Sequence, residues 1–230
     1  MIGISVFFFR QATLPQLLTI NVPLGQLKQL TLPDSSKVWL NAGTTLQYPE
    51  KFTGSARHIR LTTGQAFFEV VHDQSKPFIV SANGADVTVL GTSFEVKAFK
   101  NEKDTKITVS TGKVGVLPSH TTKTATMLRP NEQASIDNAS KVVTLHKVIA
   151  GDIASWRQNK LVFEKETLRD VMKALERKYN VKIIILNKDL FEQKITLRLD
   201  NQPLTTVLNV LSFSNNFTYK QQNEQLIVVR

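Results

Sequence analysis

The chain has 230 residues, 41% of them hydrophobic, with 29 Lys and Arg against 19 Asp and Glu (net charge +10) and no cysteine. Such a length suits one large or two modest domains, and the hydrophobic share suits a folded chain. Lack of cysteine excludes disulfide scaffolds, Cys-based zinc sites and Cys nucleophiles. The Lys and Arg are dispersed, with no run of five or more, so the basic balance reads as a solvated surface and no nucleic-acid partner is expected.

Residues 1–22 open on an apolar stretch, Ile2 to Phe9. It is much shorter than the roughly 20 residues that span a bilayer, and it has neither a basic start nor a small-residue cleavage site. It reads as a short strand, a disordered start or the tail of a membrane helix.

From Lys28 to about His146 the pattern is strand, turn, strand. Leu30, Leu32, Val38 and Leu40 interleave with polar residues around the turn Pro33-Asp34-Ser35-Ser36. Arg57 to Leu61 alternates, and Ala66 to Val71 is a denser apolar run. Phe78 to Ser81, Asn83-Gly84 and Val87 to Leu90 read as a hairpin, because Asn-Gly takes the positive φ angles of tight turns. Phe94 to Phe99, Ile107 to Val109 and the segment after Gly112 are further strands. Residues 23–150 are thus expected to form a mainly β module, a sandwich, a roll or a short β-helix, among which periodicity does not choose.

The pattern changes near Gly151, and residues 151–230 read as a small α+β domain. Leu168, Val171, Met172, Leu175 and Tyr179 fall on one helical stripe. Thr167 with Asp170 resembles a capping box, and Asn180 suits a left-handed stop. Val181 to Leu186 and Ile195 to Leu199 are strands. Pro203 opens a second helix with Leu204, Val207, Leu208 and Leu211 inward. Phe217 to Tyr219 and Leu226 to Val229 close the order β-α-β-β-α-β-β.

No catalytic, cofactor-binding or metal-binding residue is assigned. His58, His72, His120 and His146 never fall at an i, i+3 or i+4 spacing, which leaves a metal site without support. His72-Asp73 near Glu69 reads as a turn after a strand rather than acid–base machinery. Thr111-Gly112-Lys113 lacks the earlier Gly and the following Ser or Thr of a phosphate loop. Asn138 and Asn216 fit the glycosylation sequon, a pattern common by chance. Trp39 and Trp156 read as core aromatics ahead of sugar-stacking platforms.

Several motifs then line up in order. Leu32 to Gly43, Leu61 to Val70, Lys76 to Val80, Val89 to Val96, Gly112-Lys113-Val114 and Leu128 to Gln133 together resemble the FecR family of anti-sigma regulators. The tail from Trp156 is similar to the C-terminal domain that follows in the Bacteroidetes branch, itself like the short N-terminal domain of secretins and TonB-dependent receptors. Ser35 stands where the family usually has Gly, and Gln65 where Glu is usual. The resemblance implies a non-catalytic, cofactor-free regulator in the periplasm, tethered to the inner membrane by one N-terminal helix. Its implied partner is the signalling domain of an outer-membrane TonB-dependent receptor. An extracytoplasmic-function sigma factor would be reached only through a cytoplasmic domain that this chain does not contain.

The receptor contact is expected on the C-terminal domain. Phe217, Thr218, Tyr219, Leu226, Ile227, Val228 and Val229 are the candidate partner-binding residues, on the expectation that one of these strands is an open sheet edge. The alternative function is an envelope carbohydrate- or peptidoglycan-binding module using Trp39, Tyr48 and Trp156.

Overall fold

Arg57 to Glu69 alternates apolar and polar residues for longer than a typical strand, and the sheet is organised around this run. The computed structural model describes residues 16–119 and 124–230; Ile2 to Phe9 and His120 lie outside the described residues. Thirteen strands form one sheet: β1 (Leu17–Asn21), β2 (Lys28–Thr31), β3 (Lys37–Leu40), β4 (Thr45–Pro49), β5 (Arg57–Glu69), β6 (Phe78–Ala82), β7 (Ala85–Val89), β8 (Ser93–Ala98), β9 (Asp104–Thr111), β10 (Val114–Pro118), β11 (Thr126–Leu128), β12 (Glu132–Asp137) and β13 (Val143–Lys147).

The first half of β5 pairs with β4 and, in parallel, with β6. Its second half pairs with β3 and β8. One strand therefore belongs to both halves of the sheet, which rolls about it and encloses a single apolar cluster. Within the sheet β5–β6 is the parallel pair among antiparallel ones, so the fold is not a β-helix. Between the halves sits Gly64 at φ +119, where an added Cβ would lie under 3.0 Å from Thr44 atoms. Thr44 Oγ1 donates to the Gln65 carbonyl and accepts from its N–H, both at 3.1 Å, which fixes the bend.

Inward residues of successive strands meet in register, Val38 against Phe68, Phe68 against Phe94 and Phe94 against Val109. The Phe68 and Phe94 rings stack at 5.1 Å. The hairpin between β6 and β7 turns at Asn83-Gly84, with Gly84 at φ +84. In the opening turn Ser35 adopts φ 68, so it holds the left-handed conformation that Gly would supply without strain. Asp34 secures that turn. It accepts from the Ser36 N–H and hydroxyl and pairs at 2.7 Å with Arg57, whose guanidinium also donates to the carbonyls of Val71 and Lys76.

Past the sheet come α1 (Ala150–Ile153) and a 3-10 turn over Ala154–Gln158, then the order β14 (Leu161–Thr167), α2 (Leu168–Tyr179), β15 (Lys182–Ile185), β16 (Lys194–Leu199), α3 (Leu204–Asn215), β17 (Tyr219–Asn223) and β18 (Leu226–Val229). Thr167 caps α2 by accepting from the Asp170 N–H, and Asn180 ends it in the left-handed conformation. Pro203 sits one position earlier than expected, at the cap of α3, with ψ 149. The helices pack on β14–β16 and on the sheet β15–β18–β17 around a second apolar cluster.

One expectation needs correction. Leu226 to Val229 is not an edge but the middle strand, parallel to β15 and antiparallel to β17. Ile227, Val228 and Val229 are buried. Phe217 is a core residue, and Thr218 exchanges both backbone hydrogen bonds with Arg230. The central place of Leu226 to Val229 pairs the backbone on both edges, and packing on the sheet faces buries its apolar side chains.

Gly64→Ala is expected to destabilise the fold by about 2 kcal/mol or more, since a Cβ meets both a strained φ and the Thr44 backbone. Urea unfolding of the two proteins side by side measures it; an unchanged midpoint would show that the bend tolerates a side chain.

Candidate functional site

Side chains on the outer face of a half-covered sheet should be solvated, yet the second half of this sheet buries polar groups there. Register aligns Trp39, Phe67, Glu95, Thr108, Gln133 and His146 in one row across β3, β5, β8, β9, β12 and β13. Beside it run Gln65, Lys97, Lys106 and Ser135. Glu95, Thr108 and Gln133 are 3%, 2% and 7% exposed. The cover is the segment after β13 and the domain that follows it.

The Val148 N–H donates to the Asn131 carbonyl and the Ala150 N–H to the Asn131 side chain, which lays the connecting turns along the sheet. Ala150 and Ala154 are buried beneath them. These turns bring Trp156 over the row, and its indole Nε1–H donates to the Glu95 carboxylate. Arg157 lies over the rings of Phe67 at 3.7 Å and Trp39 at 5.0 Å and pairs with Glu69 at 3.4 Å. Further out, Lys106 pairs with Glu166 of β14 at 2.7 Å.

Arg177, in the last turn of α2, reaches into the β module. It stacks on Phe99 at 3.7 Å and pairs with Glu102 at 2.8 Å. Glu102 also holds Lys97 at 2.9 Å, so one carboxylate neutralises two cations. The Arg177 carbonyl accepts from the Gly25 N–H at 2.8 Å. Between these contacts a cavity of about 150 Å³ remains, walled by Gln65, Glu95, Lys97, Lys106, Gln133 and Trp156 among others.

Burial dominates the electrostatics. It pushes the Glu95 carboxyl up to about 7, against the hydrogen bonds from Trp156 and Gln65 and the charges of Lys97 and Arg157. Burial also opposes ionisation of Glu102, but Lys97 and Arg177 outweigh it and hold that carboxyl below its usual range. For Lys97, burial is likewise outweighed, here by Glu102 and Glu166, and the ammonium is held above its ordinary value.

The residues weighed for chemistry lie apart. His58, His72 and His146 are exposed, and among the described residues no group of three or more His, Cys, Asp or Glu could hold a metal ion. Asp73 accepts from the Ser75 N–H and hydroxyl, a turn, while Glu69 faces Arg157 rather than His72. Gly112 turns the chain from β9 to β10, which pair with different neighbours, at φ +80 and precedes no helix. Asn138 is engaged with Thr105 and the Glu102 carbonyl, and Asn216 ends α3. Tyr48 packs against the first core, and neither Trp39 nor Trp156 presents a free face of a shared cleft.

Sequence reasoning missed Glu95, Lys97, Glu102 and Arg177. Glu95 occupies an outward position in Phe94-Glu95-Val96, where alternation alone reads as solvated. A local signal existed in Trp156-Arg157, a large aromatic and a cation directly after the change of pattern near Gly151.

The chain is thus built as a rolled β module and a small α+β domain that meet across a largely polar seam. The family description "FecR protein" matches residues 19–115, and "FecR, C-terminal" matches residues 160–228. Two crystal structures of a protein assigned as an anti-sigma factor from Parabacteroides distasonis superpose with TM-scores of 0.87 and 0.86, at 36% and 37% identity, over 93% of this chain and 98% of theirs. No curated protein matches. The chain belongs to the FecR family of anti-sigma factors, which are non-catalytic regulators.

Because Glu95 binds a proton more tightly when buried, the folded chain takes up more protons than the unfolded one between about pH 4.5 and 7. Its contribution to stability is fully present below that window and lost as pH rises through it. The urea midpoint of the wild type is expected to fall from pH 5 to pH 8, and Glu95→Gln to flatten that slope. Parallel slopes for the two proteins would show that Glu95 does not titrate in this range.

Proposed function

We propose that the chain is the periplasmic sensor part of a FecR-type regulator, which takes a signal from an outer-membrane TonB-dependent transducer and relays it towards an extracytoplasmic-function sigma factor. In this reading a single N-terminal helix tethers it to the inner membrane, and the sigma factor is reached through a cytoplasmic part beyond this chain. Family membership supports the regulatory role. Among the described residues no helix is long and apolar enough to cross a membrane.

The observation that carries the receptor contact is the open flank of β17. This strand pairs with β18 alone and is largely exposed. Thr218 and Arg230 exchange both backbone hydrogen bonds, so by alternation the N–H groups of Tyr219 and Gln221 point to the unpaired side. A partner strand can add there with little demand on its sequence. Within the candidate set this moves the contact from Leu226, Ile227, Val228 and Val229 to Tyr219 and the residues after it.

Gln221→Pro removes an outward donor and leaves the β17–β18 ladder in place. Binding to the receptor's signalling domain is expected to fall at least about tenfold with an unchanged melting curve. Undiminished binding by the folded variant would exclude this flank.

The division into 23–150 and 151–230 belongs to the same proposal. The two apolar clusters share no residue. A fragment spanning residues 155–230 is expected to show cooperative thermal unfolding by circular dichroism; a featureless unfolded spectrum would place the boundary elsewhere. The carbohydrate reading loses its basis, since its aromatics are occupied in the core and the seam.

A further inference from the structure

We propose that the seam between the modules is a latch that opens, giving the chain a docked and an undocked state, with Trp156–Glu95 and Arg177–Glu102 as its two catches. This goes beyond the relay reading and holds whichever partner binds.

Four observations carry it. First, neither apolar cluster crosses the seam, so undocking leaves both clusters whole and uncovers flanking rings such as Phe67 and Phe99. Second, besides the stacking of Arg157 on Phe67 and Trp39 and of Arg177 on Phe99, the contacts that cross are polar: Trp156 on Glu95, Arg157 on Glu69, Lys106 on Glu166, Arg177 on Glu102, and Lys173 on the Asn101 carbonyl. Water can replace each of these when the seam opens, whereas it cannot replace an apolar core. Polar seams between domains permit relative motion by default.

Third, the packing is incomplete. A cavity of about 150 Å³ lies beside Glu95, and a second, larger cleft runs between β12–β13 and β14, lined by Ser135, His146, Glu164 and Lys165 among others. Fourth, the connecting segment is suited to act as a hinge. Gly151 has open space around it, and Asn159 takes the left-handed conformation at the end of the 3-10 turn. A handful of φ/ψ changes over Ile149 to Asn159 would swing the second module away without disturbing a strand of either.

Glu95 sets the balance between the states. It is faced by Lys97 on its own strand, Gln65 on β5, and Trp156 and Arg157 on the connecting segment; Lys106, Lys160, Lys178, Arg177, Glu166, Asp170 and Asp152 line the same cavity. Glu102 already serves Lys97, and Glu166 serves Lys106. An ionised Glu95 is therefore the seam's least compensated charge, and opening the seam hydrates it.

The test uses the full chain. Since the sequence has no cysteine, Thr88→Cys on β7 and Phe213→Cys on α3, both exposed, accept spin labels at two positions only. Pulsed electron spin resonance then reads the distance between modules. Trp156→Phe keeps an aromatic ring and removes the donor, and Arg177→Met keeps an unbranched apolar stem and removes the charge. Each is expected to raise the undocked fraction roughly tenfold, seen as a second, longer distance, with each module's circular dichroism intact. A single unchanged distance in these folded variants would overturn the proposal. Loss of folding in both variants, and in the milder Glu102→Gln, would overturn it as well, because the contacts would then belong to one cooperative core.

Discussion

The fold depends on a strand that cannot stay straight. β5 lends its first half to one part of the sheet and its second half to the other. The change of direction falls at Gly64, pressed against Thr44. Because side chains alternate along a strand, the same bend that points Phe68 inward points Phe67 outward. The apolar interior and the polar outer row are thus two consequences of one backbone path. Had β5 been two strands joined by a loop, the row from Trp39 to His146 would lack its fixed register, and the second module would have no ordered surface to rest on.

That surface is covered by charged groups that also stack on its rings, as Arg157 does on Phe67 and Trp39. Burying an ion is tolerable only when its partner comes with it. The seam meets this condition unevenly. Glu102 is clamped between Lys97 and Arg177, whereas Glu95 has an indole and an amide for company. The first arrangement needs both modules present. The second is a standing strain that grows as the medium becomes less acidic. Together they make a contact that is specific in geometry, and under the latch proposal it is the element a partner would shift between two populations.

The local grammar of the chain was legible. Asn83-Gly84, the Thr167–Asp170 cap, the Asn180 stop and the stripe from Leu168 to Tyr179 each announced what they form, because their physics is confined to a few neighbouring residues. Pairings between distant segments were not. The parallel match of Ile183 with Ile227 spans β16, α3 and β17, and no periodicity in either strand reports its neighbour. Leu226 to Val229 therefore stands among the candidate edges on sequence alone, while in the sheet it is central. The seam was hidden for a related reason: Glu95 looks solvated until Trp156, far along the chain, is placed above it. Ser35 is a third case, its positive φ held by contacts that Asp34 makes with Arg57.

The central position of β18 has a bearing on how the protein is made. As the chain emerges, β14, α2, β15 and β16 are all available before the strand that completes the second sheet. β15 must wait, its ladder unpaired, until α3 and the β17–β18 hairpin have been synthesised and can dock as a unit. Closing so distant a contact is slow compared with forming a hairpin. The first module, by contrast, can finish its sheet with β13 while the rest is still being produced. Its outer face then stands ready as a template, and the late-forming domain matures beside a surface that already carries the counter-charges it will meet.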